Sequence, residues 1–171
     1  MSRMKLAFAV AIAVVVLAAC GRTAPPPAAA GAAATAKAVP DFTLTDVDGK
    51  EFHLADTNGT VRLVDFWATW CAPCREEIPM FKDLHTAYAS KGFHLVGIAM
   101  DDEGASVVKP FVDQNKLPYL TLIGNNAVAE SFGGVVGLPS AFLIDRDGKI
   151  VDSWVGAVPR SVLEKRIQSL L

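Results

Sequence analysis

Hydrophobic and polar positions change period several times along the chain, and the changes mark out its elements. Phe42 and Leu44 alternate with polar neighbours, Asp48-Gly49 reads as a turn, and Phe52 and Leu54 resume the alternation, which predicts a short hairpin. Val61, Leu63, Val64, Phe66 and Trp67 form an apolar run suited to a central strand, interrupted by Asp65. From Cys74 the spacing becomes helical: Ile78, Phe81, Leu84, His85 and Tyr88 recur every three or four residues, and Lys91-Gly92 supplies a positive last turn and a stop. Phe93 to Ala99 reads as a second buried strand. Ser106 to about Asn115 reads as a helix with Val107, Val108, Phe111 and Val112 inward, where Pro110 requires an early-turn position or a kink. Tyr119 to Ile123 is a short strand, followed by a brief helical or irregular piece through Phe132. Ser140 to Ile144 and Ile150 to Val155 flank Asp147-Gly148 as a hairpin. Pro159 opens a final helix with Val162, Leu163, Ile167 and Leu170 on its inner side. Strands alternating with helices, then a hairpin and a helix, predict an α/β fold: a central mixed sheet flanked by helices, with an N-terminal β-hairpin.

The pattern before residue 39 is of another kind. Arg3 and Lys5 precede Leu6 to Ala19, a run without a polar side chain. It is shorter than the roughly 20 residues of a bilayer span and suits a secretory signal. It ends in Leu17-Ala18-Ala19-Cys20, which resembles the lipobox of bacterial lipoproteins. The resemblance implies a signal peptide over 1–19 and lipidation of Cys20. Gly21 after the cysteine leaves the inner and the outer membrane both open. Residues 20–38 form an alanine- and proline-rich tether with Pro25, Pro26 and Pro27, without the side chains to build a core. The folded domain is expected over 39–171.

Composition narrows the function. The whole chain carries 18 acidic and 16 basic side chains, net -2, with the basic ones scattered. No nucleic-acid surface is expected from such a balance. No nucleotide or flavin motif is present, so no cofactor is expected. Of the three cysteines, Cys20 is set aside as the anchor, leaving Cys71 and Cys74 two residues apart. A zinc site is disfavoured, because there is no second cysteine pair and His53, His85 and His94 are dispersed. The pair follows a strand and opens a helix. There Cys71 meets the unpaired N–H groups and positive dipole end that favour a thiolate, and Cys74, one turn in, is more buried. A helical turn brings two such sulfurs into bonding range, so a Cys71–Cys74 redox disulfide is expected.

Val64-Asp65-Phe66-Trp67-Ala68-Thr69-Trp70-Cys71-Ala72-Pro73-Cys74 resembles the active-site strand and helix start of thioredoxins. Arg75-Glu76-Glu77-Ile78-Pro79, Gly137-Leu138-Pro139 and Phe142-Leu143-Ile144-Asp145-Arg146-Asp147-Gly148 extend the likeness to the TlpA/ResA-like thiol-disulfide oxidoreductases. The resemblance implies a thioredoxin-like fold and a set of roles. Cys71 attacks and Cys74 resolves. A cis Leu138-Pro139 bond stands beside the dithiol to receive a client segment. Trp70 lies over the sulfurs as an apolar contact. Asp65 matches the buried acid of thioredoxins and Glu77 the acid that ResA-like proteins place three positions after the second cysteine, and either could carry the proton of resolution. The implied partners are a disulfide-bearing client, such as apocytochrome c or a copper-site assembly protein, and a membrane thiol donor. A disulfide-donating oxidase, a thiol peroxidase and a non-catalytic binding module are the alternatives.

Overall fold

The computed structural model describes residues 37–171. The leader, Cys20 and all but the last two tether residues lie outside them. The elements are β1 (Lys37–Ala38), β2 (Thr43–Thr45), β3 (Glu51–His53), β4 (Val61–Trp67), α1 (Ala72–Tyr88), β5 (Phe93–Ala99), α2 (Ala105–Asn115), β6 (Leu120–Ile123), α3 (Asn126–Ser131), β7 (Ser140–Ile144), β8 (Lys149–Val155) and α4 (Arg160–Leu170). Six strands form one sheet in the order β1-β8-β7-β4-β5-β6, while β2 and β3 form the expected separate hairpin. β4, β5 and β6 run parallel, and β7, β8 and β1 continue the sheet antiparallel.

All seven residues of β4 are buried, because both faces of this central strand are covered. Val61 and Leu63 face α1 and α4, packing in one cluster with Phe81, Leu84, Leu163 and Ile167. Val64 and Phe66 face the other way, into a cluster with Phe42, Leu44 and Leu54 of the hairpin region and with Val128 and Phe132. Parallel β4 and β5 end at the same pole, so their C-terminal loops meet there. That pole carries a third cluster, Trp67, Ala68, Cys71, Cys74, Ala99 and Val108.

Two local expectations need correction. Val162 is exposed rather than inward, because Leu163 and Ile167, one turn apart, define the buried stripe of α4 and residue 162 lies about 100° off it. In α2 only Val108 is fully buried, since the helix packs at the edge of the sheet. Of the two placements left open for Pro110, the structure has the interior one. A short strand at Lys37–Ala38 pairs with β8 just ahead of the expected domain start.

Candidate active site

The sulfurs owe their position to the junction of β4 and α1. Residues 68–71 leave the strand in a turn closed by the Cys71 N–H donating to the Ala68 carbonyl at 3.1 Å. Cys71 is the N-cap of α1, with extended backbone, and Pro73 occupies the first helical turn, where a missing N–H costs nothing. The Cys74 N–H donates to Cys71 Sγ at 3.3 Å, so a helix-terminal donor that would otherwise lack a partner points at that sulfur. Cys71 and Cys74 are joined as a disulfide with Cα atoms 5.3 Å apart. Both are buried, at 5% and 3% exposure, a smaller contrast than their positions on the helix suggested.

Two neighbours behave differently from the sulfurs. Trp70 projects outward at 68% exposure, and the cluster enclosing the cysteines comprises Trp67, Ala68, Ala99 and Val108 instead, with Leu138 packed on it. The Leu138–Pro139 peptide is cis. Its contact with the sulfur cluster brings a segment 64 residues along the chain from Cys74 to the dithiol. The Pro139 carbonyl accepts from the Gly156 N–H at 2.8 Å, and Ser140 Oγ donates to the Gly137 carbonyl at 2.7 Å. Val136 and Val155, exposed at 88% and 67%, flank this segment, and together with Trp70 they leave three large apolar side chains in solvent at the pole.

Both candidate acids are buried. Asp65 is in register with Gly97 of β5 and Ala141 of β7, and its Oδ1 has no hydrogen-bond partner among the described residues. Burial pushes its carboxyl well above the usual range, and the Glu77 charge pushes the same way. Glu77 sits on the inner side of α1 and is buried rather than a solvated surface residue. Its Oε1 accepts the Val158 N–H at 2.8 Å, which offsets part of the upward shift caused by burial. Glu76, by contrast, faces solvent. Tyr119 completes the acidic surroundings: burial, then the Asp65 and Glu77 charges, raise its phenol far above the ordinary value.

Asp101 was not singled out for this site by the sequence. It is buried at the end of β5, and both its oxygens accept the Thr69 N–H, each at 3.1 Å, while Oδ1 also accepts the Thr69 hydroxyl. It thereby pins the turn that presents Trp70 and Cys71. The available signal was a charged residue directly after an apolar strand, at the pole where parallel strands end.

The comparisons agree with this geometry. The AhpC/TSA family model matches residues 35–153. A thiol-disulfide oxidoreductase ResA from Bacillus thuringiensis is 34% identical over 134 residues, covering 78% of this chain and 77% of the relative. One from Geobacillus kaustophilus is 31% identical over 170 residues, covering 97% and 96%. Among solved structures, a thiol:disulfide interchange protein of the thioredoxin family from Chlorobium tepidum superposes with a TM-score of 0.73 at 32% identity, covering 81% of this chain and 99% of that one. The fold is therefore thioredoxin-like, as the active-site motif implied. The chain belongs to the AhpC/TSA family, as a thiol-disulfide oxidoreductase of the ResA-like kind.

Proposed function

We infer that the protein is an extracytoplasmic disulfide reductase, tethered to a bacterial membrane through lipidated Cys20, that reduces disulfides in client proteins. The thiol-disulfide chemistry is supported by Cys71 capping α1 with the Cys74 N–H directed at its sulfur, an arrangement that favours a nucleophilic thiolate. The reductive direction is supported by the resemblance to TlpA/ResA-like proteins and by buried Asp65. The Cys71 thiolate attacks one sulfur of a client disulfide. That bond breaks, a mixed disulfide forms and the first client thiolate leaves. In its ionised form Asp65, a stronger base for being buried, takes the Cys74 proton. The Cys74 thiolate attacks Cys71 Sγ, releasing the second client thiolate and closing the disulfide, and the proton on Asp65 passes to the departing thiolate. A membrane thiol donor then returns two electrons. The leader and lipobox support the location. Among the described residues no helix is long and apolar enough to cross a membrane. The clients with suitable chemistry are apocytochrome c haem-site cysteines and cysteines of copper-site assembly proteins.

The direction of electron flow is tested by the potential of the Cys71–Cys74 couple under glutathione equilibration. A value well below about -200 mV is expected, and one near -120 mV, the range of strong oxidants, would reverse the assignment. A peroxidase would need threonine and arginine support around its reactive cysteine. Here Thr69 donates its hydroxyl to Asp101, and the Arg75 guanidinium lies over the Phe111 ring at 5.8 Å.

Trp70, with Val136 and Val155, forms the apolar rim on which a client would rest, and the Leu138 backbone offers it strand-like hydrogen bonds. Trp70→Ala is expected to raise client KM about tenfold with little change in potential, since an exposed aromatic contributes through contact area. An unchanged KM would remove Trp70 from the docking surface.

A further inference from the structure

The sheet order separates two surfaces around Cys71. The cis-proline segment leads into β7 on one side of β4, and α2 follows β5 on the other. Val136 and Val155 belong to the first side. The second side carries two adjoining cavities between α1 and α2, of about 670 and 430 Å³. They share Arg75, Phe111 and Asn115, so the Arg75 guanidinium, 5.8 Å over the Phe111 ring, is the saddle between them. The larger cavity opens at Ala72, next to Cys71, and runs along α1 past Pro79 to Lys82. The smaller reaches Thr69, in the turn that presents Cys71. One groove is thus continuous with the dithiol on the side away from the cis-proline.

The groove is apolar where Ile78, Pro79 and Phe111 line it, and its charge is unbalanced. Asp83 is ion-paired with Arg160 at 2.7 Å. No carboxylate lies within ion-pair distance of Arg75 or Lys82 among the described residues, and Lys82 Nζ donates to the Asn115 carbonyl at 2.9 Å. Glu76 faces solvent, so two cations stand against one uncompensated acid. Stacking on Phe111 holds the guanidinium while leaving its fork of N–H donors for a carboxylate. Pro79 has no N–H for the Arg75 carbonyl four residues before it, so that carbonyl lacks its helical donor and can accept from an incoming backbone. We propose that the α1/α2 groove is a second contact for the client: it takes an acidic, partly apolar segment next to the attacked cysteine, with a carboxylate on Arg75 and an apolar side chain against Ile78, Pro79 and Phe111. This deepens the reading above and rests on Cys71 and Cys74 being the client-reducing pair. The client then straddles Cys71, touching the valine rim on one side and Arg75 on the other.

The test is steady-state reduction, by the full-length protein with dithiothreitol as electron source, of three peptides closed by the same C-x-x-C disulfide. On both sides of the pair leucine alternates with aspartate, with asparagine or with lysine. Wild type is expected to favour the aspartate peptide over the lysine peptide about tenfold in kcat/KM, mostly through KM, with the preference shrinking as salt is added. Arg75→Gln should bring that ratio to within about threefold of one, and Arg75→Glu should invert it. A ratio between peptides cancels any change the substitution makes in the reactivity of Cys71 itself. A wild-type ratio near one, or a preference that survives Arg75→Gln, overturns the proposal. Turnover surviving in Cys71→Ala would instead overturn the dithiol assignment. Hydrogen exchange on the aspartate peptide trapped as a mixed disulfide with Cys74→Ser locates the contact: slowed amides are expected in 111–115 as well as in 136–156. Protection confined to 136–156 overturns the proposal, as does protection of 111–115 that appears without peptide as protein concentration rises, the mark of a second copy in the groove.

Discussion

Cys74→Ser should turn the protein from a catalyst into a trap, with Cys71 left covalently joined to its client. Resolution is fast because Cys74 is held one turn from Cys71, close enough to bond, and proximity of that order is worth many powers of ten over a free thiol in solution. Without it the mixed disulfide waits for an external thiol, so multiple turnover should fall by about three orders of magnitude or more. Cys71→Ser should lose turnover equally and form no adduct, because the buried sulfur of Cys74 lacks the helix-terminal donor. Non-reducing electrophoresis followed by mass spectrometry of the trapped species reads both variants. An adduct formed by Cys71→Ser, or wild-type turnover by Cys74→Ser, would refute the assignment of attacking and resolving sulfurs.

The second large effect falls on Asp65. In the proposed mechanism Asp65→Asn removes the proton carrier, and loss of a positioned acid or base typically costs about 10²- to 10⁴-fold in rate. The same substitution should make the oxidised protein more stable at neutral pH. In the unfolded chain an aspartate gives up its proton near pH 3.9, whereas in the fold burial and the Glu77 charge hold the Asp65 proton to much higher pH. Between those two values the folded state binds the extra proton. Stability is therefore fully present below the unfolded value and declines by about 1.4 kcal/mol per pH unit as pH rises, until the folded carboxyl ionises. Asparagine abolishes that decline. Glu77, whose carboxyl is also raised by burial, acts in the same sense and leaves a residual slope; Tyr119, shifted upward, stays neutral throughout. Denaturant unfolding of the oxidised proteins between pH 4 and 8 decides it: parallel curves for the two would show that Asp65 has no raised pKa.

What the sequence revealed was what local pattern controls. The apolar run of β4, the change of period at Cys74, the Asp48-Gly49 and Asp147-Gly148 turns and the Leu138-Pro139 step each lie within a few residues, and each appears in the fold where expected. The less legible features are contacts between distant positions. The motif marks Glu77 as the acid three positions after the second cysteine, but its partner Val158 lies 81 residues on, and no periodicity encodes that bond. The Thr69–Asp101 tie spans 32 residues and depends on β4 and β5 ending at one pole, a consequence of their parallel pairing. Tyr119 was read as the first residue of a strand; only packing of that strand against β5 brings its ring toward the two acids. Val162 differs for another reason: Leu163 and Ile167 set the buried stripe of α4, and residue 162 lies about 100° from it.

Burial of both sulfurs beneath an apolar rim has a kinetic meaning. A small thiol or a dissolved oxidant gains nothing from Trp70 or Val136 and must reach a nearly closed sulfur unaided, whereas a folded or partly folded protein covers the rim in the same encounter. With the proposed reductive direction, reducing equivalents on this pair would pass slowly to low-molecular-weight oxidants and faster to partners large enough to touch rim and sulfur at once.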